Sequence, residues 1–311
     1  MKCHRLLPGA LALALSVSLC ACGGAPDSPS AAPAQTLEEL TAGQTITSET
    51  AELTLKGVVI LDAVVDENIN LNAKDDSDYL CAIYNIKNTG ATEDDLIPET
   101  VLSNKVFYQG KYEYTEFDQD IAGNGNAYAG HTPLPPLRDF TLYCIVEIPP
   151  EASEHPEELV LTTTLAGTAY QTAEVQNAVI FQQEALEAVG EFTSGIHDFF
   201  NTINFTISFD TEPYREAYRA AQASYDQVKD ALSQLTPPPY YQEGYDALME
   251  VAAQWEEFLT PVCALLDASD QEFAQAMSDS GDNFDSEAFD QRIDLIQTSM
   301  PFLMDTDLRS L

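Results

Sequence analysis

The sequence predicts a β-sandwich followed by an antiparallel helical bundle, so that an all-β part and an all-α part share one chain. Two observations lead to this prediction. From about residue 50 to residue 176, β-branched and alternating apolar runs are separated by turn residues. After Gln182, apolar residues recur at alternating intervals of three and four, which is the period of an amphipathic helix. We therefore expect two domains, over residues 50–180 and 181–311.

The first 21 residues are typical of a secretory signal. Lys2, His4 and Arg5 precede an apolar run over residues 6–19. That run is shorter than the roughly 20 residues that a membrane-spanning helix needs. A basic start, a short apolar run and small residues at its end together indicate a signal peptide over residues 1–21.

The sequence LCACG at residues 19–23 resembles the bacterial lipobox. In that motif a leucine stands three residues before an acylated cysteine, and a small residue stands directly before it. Cys22 fits this register, whereas Cys20 would place Leu19 where the small residue belongs. The resemblance implies that Cys22 is lipidated, and its acyl chains would hold the protein on a membrane.

Residues 22–49 are predicted to form a flexible tether behind this anchor. The segment GGAPDSPSAAPAQ contains no bulky apolar residue, so it cannot contribute to a packed core.

Five segments of the first domain have the pattern of strands. The turn residues between them predict antiparallel pairing, and several short strands at this spacing indicate a sandwich. In order, the segments are AELTLKGVVILDAVV, YLCAIYNIKN, KVFYQGKYEYT, DFTLYCIVEIP and LVLTTTLAGTAYQTAEV.

The stretches YNIKNTG, PLPPLRDFTLYCIVEIP and LVLTTTLAGTAY resemble the immunoglobulin-like, telokin-like domain of surface lipoproteins from Gram-positive bacteria. In that family one strand ends in an Asn-Thr/Ser-Gly turn. A later proline-containing loop leads into a strand that ends in a Val-x-hydrophobic-Pro step. The resemblance implies an immunoglobulin-like sandwich in an envelope lipoprotein, and the family's function is mostly unassigned.

Three cysteines follow the predicted anchor, namely Cys81, Cys144 and Cys263. Strand alternation places Cys81 opposite to the face of Leu80, whereas Cys144 shares a face with Leu142. If the leucine faces look inward, the two thiols point apart. We therefore expect buried single thiols, with one disulfide as the alternative.

The second domain shows four apolar stripes at helical spacing. Short connections such as Thr236-Pro237-Pro238-Pro239 predict that consecutive helices turn back on each other. The stripes begin with Leu186, Val189, Thr193 and Ile196; with Tyr214, Tyr218, Ala221 and Tyr225; with Tyr241, Tyr245, Leu248 and Ala252; and with Phe289, Ile293, Ile296 and Met300.

Aromatic residues in these stripes are candidate ligand-binding residues. An aromatic cleft in an acidic protein holds a cation through cation–π contacts, whereas the alternative is that the rings fill the core of the bundle. The candidates are Tyr214, Tyr218, Tyr225, Tyr241, Tyr245 and Trp255.

A carboxylate-rich loop is a candidate metal site. Asp75, Asp76 and Asp78 lie in NAKDDSD, and carboxylates are the ligands that calcium prefers. The spacing does not match an EF-hand, so the alternative is a set of solvated loop acids.

Composition excludes some partners. The formal net charge is −38, and a surface this acidic repels phosphate backbones, so we expect no nucleic-acid binding. Cations and basic protein surfaces are attracted. We find no pair of histidines or cysteines at zinc-ligand spacing, no nucleophile elbow, no Walker loop and no dinucleotide fingerprint, so we expect no cofactor and no enzyme activity.

The sequence therefore predicts a lipid-anchored protein on the extracytoplasmic face of the cell membrane. Its expected function is that of a non-catalytic binding or interaction module of the cell envelope, whose partner is an envelope protein. One alternative is a receptor for a cation or a cationic small molecule. The other is an envelope hydrolase, which would need two carboxylates about 5 to 10 Å apart in a concave site.

Overall fold

The computed structural model describes residues 37–66, 68–123, 125–205, 210–304, 306 and 308. The predicted signal peptide, Cys22 and the predicted tether as far as residue 36 lie outside the described residues.

The described residues before Ala178 form fourteen strands, two short α-helices and two 3-10 turns, Glu93–Asp95 and Pro156–Glu158. The strands are β1 (Glu38–Glu39), β2 (Thr45–Thr47), β3 (Ala51–Leu61), β4 (Ala63–Asp66), β5 (Ile69–Asn72), β6 (Asp78–Asn88), β7 (Leu102–Tyr108), β8 (Tyr112–Thr115), β9 (Asp118–Gly123), β10 (Asn126–Ala129), β11 (Asp139–Ile148), β12 (Leu159–Leu165), β13 (Thr168–Thr172) and β14 (Gln176–Asn177). The short helices are α1 (Pro98–Val101) and α2 (Pro150–Ser153).

These strands build a sandwich of two sheets. The smaller sheet has the order β1-β13-β12-β7-β8, and the larger has the order β10-β9-β11-β6-β3-β14 with β2 paired to β3. Strands β4 and β5 form a separate hairpin. The predicted β-sandwich is therefore present.

The folded part begins earlier than the predicted boundary at residue 50. Strand β1 pairs with β13, and β2 pairs antiparallel with β3, so residues 37–49 contribute to both sheets rather than to a tether. Leu40 and Ile46 are buried there. Isolated apolar residues among polar ones give only a weak strand pattern, and sheet pairing supplies the rest of the stabilisation.

The larger sheet is apolar on both faces. Its inner face, with Leu80 and Cys144, packs in the sandwich core, whereas Cys81 faces away from that core. The predicted faces of Cys81 and Cys144 are confirmed, and among the described residues both are free thiols, as is Cys263. Burial raises the pKa of Cys81 and Cys144 well above the ordinary value of a thiol.

A β-bulge interrupts β3 between Leu55 and Gly57. Before it Leu53 and Leu55 face the sandwich core, and after it Val58 does so. The extra residue shifts the alternation by one position, so that Val58 rather than Gly57 faces the sandwich core. It leaves Lys56 exposed at the outer side of the sheet.

The described part of the chain from Val179 onwards is helical. Its α-helices are α3 (Val179–Phe205), α4 (Glu212–Gln234), α5 (Gln242–Cys263), α6 (Asp270–Asn283) and α7 (Ser286–Ser299). Two 3-10 turns, Pro239–Tyr241 and Pro301–Leu303, precede α5 and follow α7. Helix α3 contacts α4, α4 contacts α5, and α5 contacts both α6 and α7.

The helices and the outer face of the larger sheet share one hydrophobic core. Val59, Cys81 and Ile145 from the sheet pack in it with Phe181 and Val189 from α3. The described residues from Leu37 onwards accordingly belong to one compact unit.

One stripe position differs from the prediction. Leu186 is 40% exposed, because the buried face of α3 runs through Ala185 and Phe192 instead. A helix that is apolar around much of its circumference offers two neighbouring stripes, and packing on the sheet selects one of them.

Candidate ligand-binding cleft

The helices cover only part of the outer face of the larger sheet, and a cleft of about 620 Å³ lies beside the covered part. The sheet forms one wall. The 3-10 turn before α5, the first turn of α5 and the end of α7 form the other. The cleft is therefore a consequence of how the helical part is placed on the sandwich.

One row of cross-strand neighbours forms the polar floor of the sheet wall. Asn85 on β6 lies opposite Thr141 on β11, which in turn lies opposite Ala122 on β9. Asp139 stands two residues before Thr141 and therefore on the same face. Lys56, exposed by the β3 bulge, is the basic residue of this wall.

Tyr143 and Asp66 form a hydrogen bond at the deeper end of the sheet wall. The Tyr143 hydroxyl donates to Oδ2 of Asp66, which ends β4. Burial raises the pKa of Tyr143 well above its ordinary value, so the hydroxyl stays protonated and acts as a donor. Asp66 is thereby held at the edge of the cleft.

Tyr240 is the main aromatic residue of the helical wall. Its backbone N–H donates to Oε1 of Gln176 at 3.0 Å, and its ring lies 4.9 Å from that of Tyr241 in an edge-on arrangement. A Cβ at Gly57 would lie 3.0 Å from Cδ2 of Tyr240, so the glycine lets the ring approach β3 closely. Burial raises the pKa of the Tyr240 hydroxyl, which therefore also remains a donor.

Two helix ends complete the helical wall. Glu243 lies in the first turn of α5, close to the partial positive charge of the helix N-terminus. Gln297, Thr298 and Ser299 lie at the C-terminal end of α7, where the backbone carbonyls carry the partial negative charge.

Several polar side chains of the cleft make no hydrogen bond or ion pair to other described residues. They include hydrogen-bond donors, hydrogen-bond acceptors and charged groups of both signs. Because they have no such partner among the described residues, they are available to a bound molecule. They are Lys56, Asn85, Asp139, Thr141, Tyr240, Glu243 and Ser299.

The structure does not gather the predicted aromatic residues around this cleft. Tyr218, Tyr225, Tyr241 and Trp255 are buried in the core shared by helices and sheet, and Tyr214 and Tyr245 pack against it. Their rings contact other aromatic side chains: the Trp255 ring, for example, stacks on Phe258 at 5.3 Å.

The hydroxyl groups of this aromatic set bind protein groups where the structure gives their partners. Tyr225 donates to Oε2 of Glu256 at 3.1 Å, and Tyr245 donates to the carbonyl of Leu232 at 3.2 Å. Tyr241 alone comes near the cleft, because it lies behind Tyr240.

Asp75 and Asp76 lie between β5 and β6, and Asp78 is the first residue of β6, at the other end of that strand from Asn88. Asp78 accepts a hydrogen bond from the Ser153 hydroxyl. Within the described ranges, no group of three or more histidine, cysteine, aspartate or glutamate residues is placed to hold a metal ion. The three aspartates are thus not brought together as a ligand set.

Lys56, Asp66, Asp139 and Glu243 are not among the residues that the sequence predicts for a site. A signal existed for Lys56 alone, since a charged residue followed by glycine inside the apolar run TLKGVVI indicates a bulge. The acidic residues resemble many others in a chain with 51 of them. Only the packing of helices on the sheet singles them out.

Fold and cleft together define a β-sandwich protein with a C-terminal helical part and an open polar cleft between the two. No known protein-family model matches this chain, and no curated protein matches it. Among solved structures, the chain is similar to an uncharacterised β-sandwich protein from Clostridium difficile, at 20% sequence identity and a TM-score of 0.40. The similarity covers 44% of this chain and 93% of that protein.

Within the part of the chain that the structure describes, no helix is long and apolar enough to cross a membrane.

Proposed function

We propose that the protein is a lipid-anchored envelope protein of a bacterium, and that it acts as a non-catalytic binding module whose ligand occupies the cleft. In this proposal the sandwich is immunoglobulin-like and of the telokin-like kind, and the helical part is an antiparallel bundle. The observation that supports a binding function is the cleft of about 620 Å³ with unpaired donors and acceptors. That volume lies in the range of about 300–1,000 Å³ that small-molecule sites occupy.

The lipid anchor is tested by replacing Cys22. In a Gram-positive host fed an alkyne-tagged fatty acid, the wild-type protein should be labelled and should sediment with membranes. Cys22→Ala should abolish the label, whereas Cys20→Ala, the matched control outside the lipobox register, should keep it. Labelling that survives Cys22→Ala would show that the anchor assignment is wrong.

The binding function is tested on a soluble fragment covering residues 37–311, which contains the whole compact unit. Its thermal unfolding is measured with a panel of amino acids, oligopeptides, polyamines, sugars and cell-wall fragments. A ligand at 100 times its dissociation constant adds about 2.7 kcal/mol, which raises the midpoint measurably.

Thr141→Trp is the control variant for this panel, because an indole on the floor should fill the cleft. Stabilisation of the wild type but not of Thr141→Trp supports the proposal. A panel without effect, or a ligand that stabilises both proteins equally, counts against the cleft as a binding site.

The cation-receptor alternative draws on the three carboxylates that line the cleft, Asp66, Asp139 and Glu243. It requires polyamines to be the stabilising members of the panel, and the effect to disappear in Asp139→Asn.

The hydrolase alternative draws on the same carboxylates. It requires turnover of a cell-wall glycan by the wild-type fragment and its loss in both Asp139→Asn and Glu243→Gln. Release of no reducing ends by the wild type would leave the non-catalytic proposal in place.

A further inference from the structure

We propose that the cleft takes a small zwitterion, namely an amino acid or a short peptide that carries both a free ammonium and a free carboxylate group. This inference rests on the proposed binding function and names the class of ligand. Its basis is the juxtaposition of an unpaired amine on the sheet wall with unpaired carboxylates and a helix C-terminus around the same cavity.

Lys56 is the residue that points to an anionic group on the ligand. Among the ten lysines and arginines that the structure describes, six bind a carboxylate, as Lys74 binds Glu147 at 2.9 Å and Lys105 binds Glu113 at 2.6 Å. Lys56 makes no such ion pair with the described residues, although three carboxylates line the same cleft. Its ammonium group is therefore free to bind a carboxylate from solution.

The opposite wall favours a positive charge. Glu243 has no side-chain partner among the described residues, and the carbonyl end of α7 lies beside it along the cleft. Both groups attract an ammonium group. The rings of Tyr143 and Tyr240 add negatively polarised faces to the same cavity.

Ligands with a single charge fit this arrangement less well. A purely anionic molecule must enter the field of a protein with a net charge of −38, with only one lysine to offset three carboxylates. A purely cationic molecule leaves the Lys56 ammonium beside a second positive charge. A zwitterion offers a carboxylate to Lys56 on one wall and an ammonium group to Glu243 on the other.

The size and the floor of the cleft favour a short peptide over a metal ion. A volume of about 620 Å³ is far larger than an ion needs. Asn85, Thr141 and Ser299 offer amide and hydroxyl groups that match the N–H and C=O groups of a peptide backbone.

The test is calorimetric titration of the 37–311 fragment with three forms of triglycine. The first has free ends, the second has an amidated C-terminus and so only a positive charge, and the third has an acetylated N-terminus and so only a negative charge. We expect triglycine to bind. Each blocked form should bind at least about tenfold more weakly, since each loses one charge-assisted contact.

Two variants assign the charges to residues. Lys56→Met should reduce the affinity for triglycine to that for its amide, without weakening the binding of the amide. Glu243→Gln should do the same relative to the acetylated form. Lys105→Met is the matched control, because Lys105 lies on the smaller sheet and does not line the cleft, and it should bind triglycine as the wild type does.

Equal affinity for triglycine and its amide, or an unchanged affinity in Lys56→Met, would overturn the inference. So would the absence of binding by all three peptides. In that case the proposed function still stands if another member of the panel stabilises the wild type but not Thr141→Trp, so the two failures are distinguishable.

Discussion

Glu116 is a half-buried carboxyl group that enters a polar network inside the sandwich. Its Oε2 accepts a hydrogen bond from Nδ2 of Asn104 at 2.7 Å, and its Oε1 accepts one from Nε2 of Gln119 at 2.6 Å. The Tyr84 and Thr163 hydroxyl groups both donate to Oδ1 of the Asn104 side chain. Burial raises the pKa of Glu116 above its ordinary value, in spite of these donors.

This raised pKa predicts how stability depends on pH. The folded state holds the proton of Glu116 more tightly than the unfolded state. Its stabilising contribution is therefore full below the unfolded pKa and is lost as the pH rises through the folded pKa. In urea titrations from pH 4 to pH 8, the wild type should lose free energy of unfolding relative to Glu116→Gln as the pH rises.

Glu113→Gln serves as the control for Glu116→Gln, because it removes one negative charge from the exposed partner of Lys105. The loss of this exposed ion pair should cost less than about 1 kcal/mol. A constant difference between the wild type and Glu116→Gln would contradict the assignment to Glu116.

Arg215 is buried at 4% exposure and connects α4 to the turn after α5. Its guanidinium group lies 4.3 Å from the ring centre of Phe273 and 3.0 Å from Oδ1 of Asp270. It also donates to three backbone carbonyls of the turn, those of Leu265, Leu266 and Ala268.

Replacing Arg215 by methionine should destabilise the protein by about 3 kcal/mol in urea unfolding, because three carbonyls lose their donor and a carboxylate loses its partner. Arg219→Met removes the exposed ion pairs with Glu212 and Asp267 and should cost less than about 1 kcal/mol. Equal effects of the two changes would show that the buried contacts of Arg215 contribute nothing beyond a surface ion pair.

At the scale of elements, the contact between α5 and α7 depends on Gly244. A Cβ at this position would lie 2.8 Å from Cγ of Met300 and 2.9 Å from Cβ of Ser299. Because both atoms belong to packed residues at the end of α7, the helices must separate if a methyl group is added. Glu243 and Ser299 would then move apart on the helical wall of the cleft.

Gly244→Ala should therefore lower the free energy of unfolding by about 1–3 kcal/mol. Gly190 in α3 is the matched control, since a Cβ there meets nothing within 4 Å. Gly190→Ala should raise stability by about 0.5–1 kcal/mol, because alanine loses less backbone entropy in a helix. Opposite signs in chemical denaturation are the expected result, and stabilisation by both changes would contradict it.

At the scale of the whole molecule, the core shared by sheet and helices predicts a single unfolding transition. Trp255, the one tryptophan of the chain, lies in this core and reports on the helical part. Leu142 lies in the other core, inside the sandwich. A substitution at Leu142 therefore tests whether damage to the sandwich reaches the helices.

Leu142→Ala should destabilise by about 2–5 kcal/mol. Its urea midpoint should fall equally when followed by Trp255 fluorescence and by far-ultraviolet circular dichroism. Leu186→Ala, at an exposed position of α3, should leave both midpoints nearly unchanged. A fluorescence midpoint that stays at the wild-type value in Leu142→Ala would instead indicate that the two predicted domains unfold independently.

Some local features followed from the sequence because their period is set within one element. The alternation in YLCAIYNI and TLYCIVEI assigned Cys81 and Cys144 to opposite faces, and the structure confirms this. The alternating intervals of three and four located helices α3, α4, α5 and α7. Other features needed partners distant in the chain, such as the pairing of β1 with β13 that draws residues 37–49 into the sandwich.

The sequence by itself thus determined the element types, their order and the faces that turn inward, because each depends on side chains a few residues apart. The tertiary structure alone decided that the tyrosine stripe is core, and that Lys56, Asp139 and Glu243 line one cavity. The physical reason is that the helices bury only the apolar part of the sheet's outer face. The polar part then stays open beside them, and the cavity is lined by residues as distant in the chain as Lys56 and Glu243.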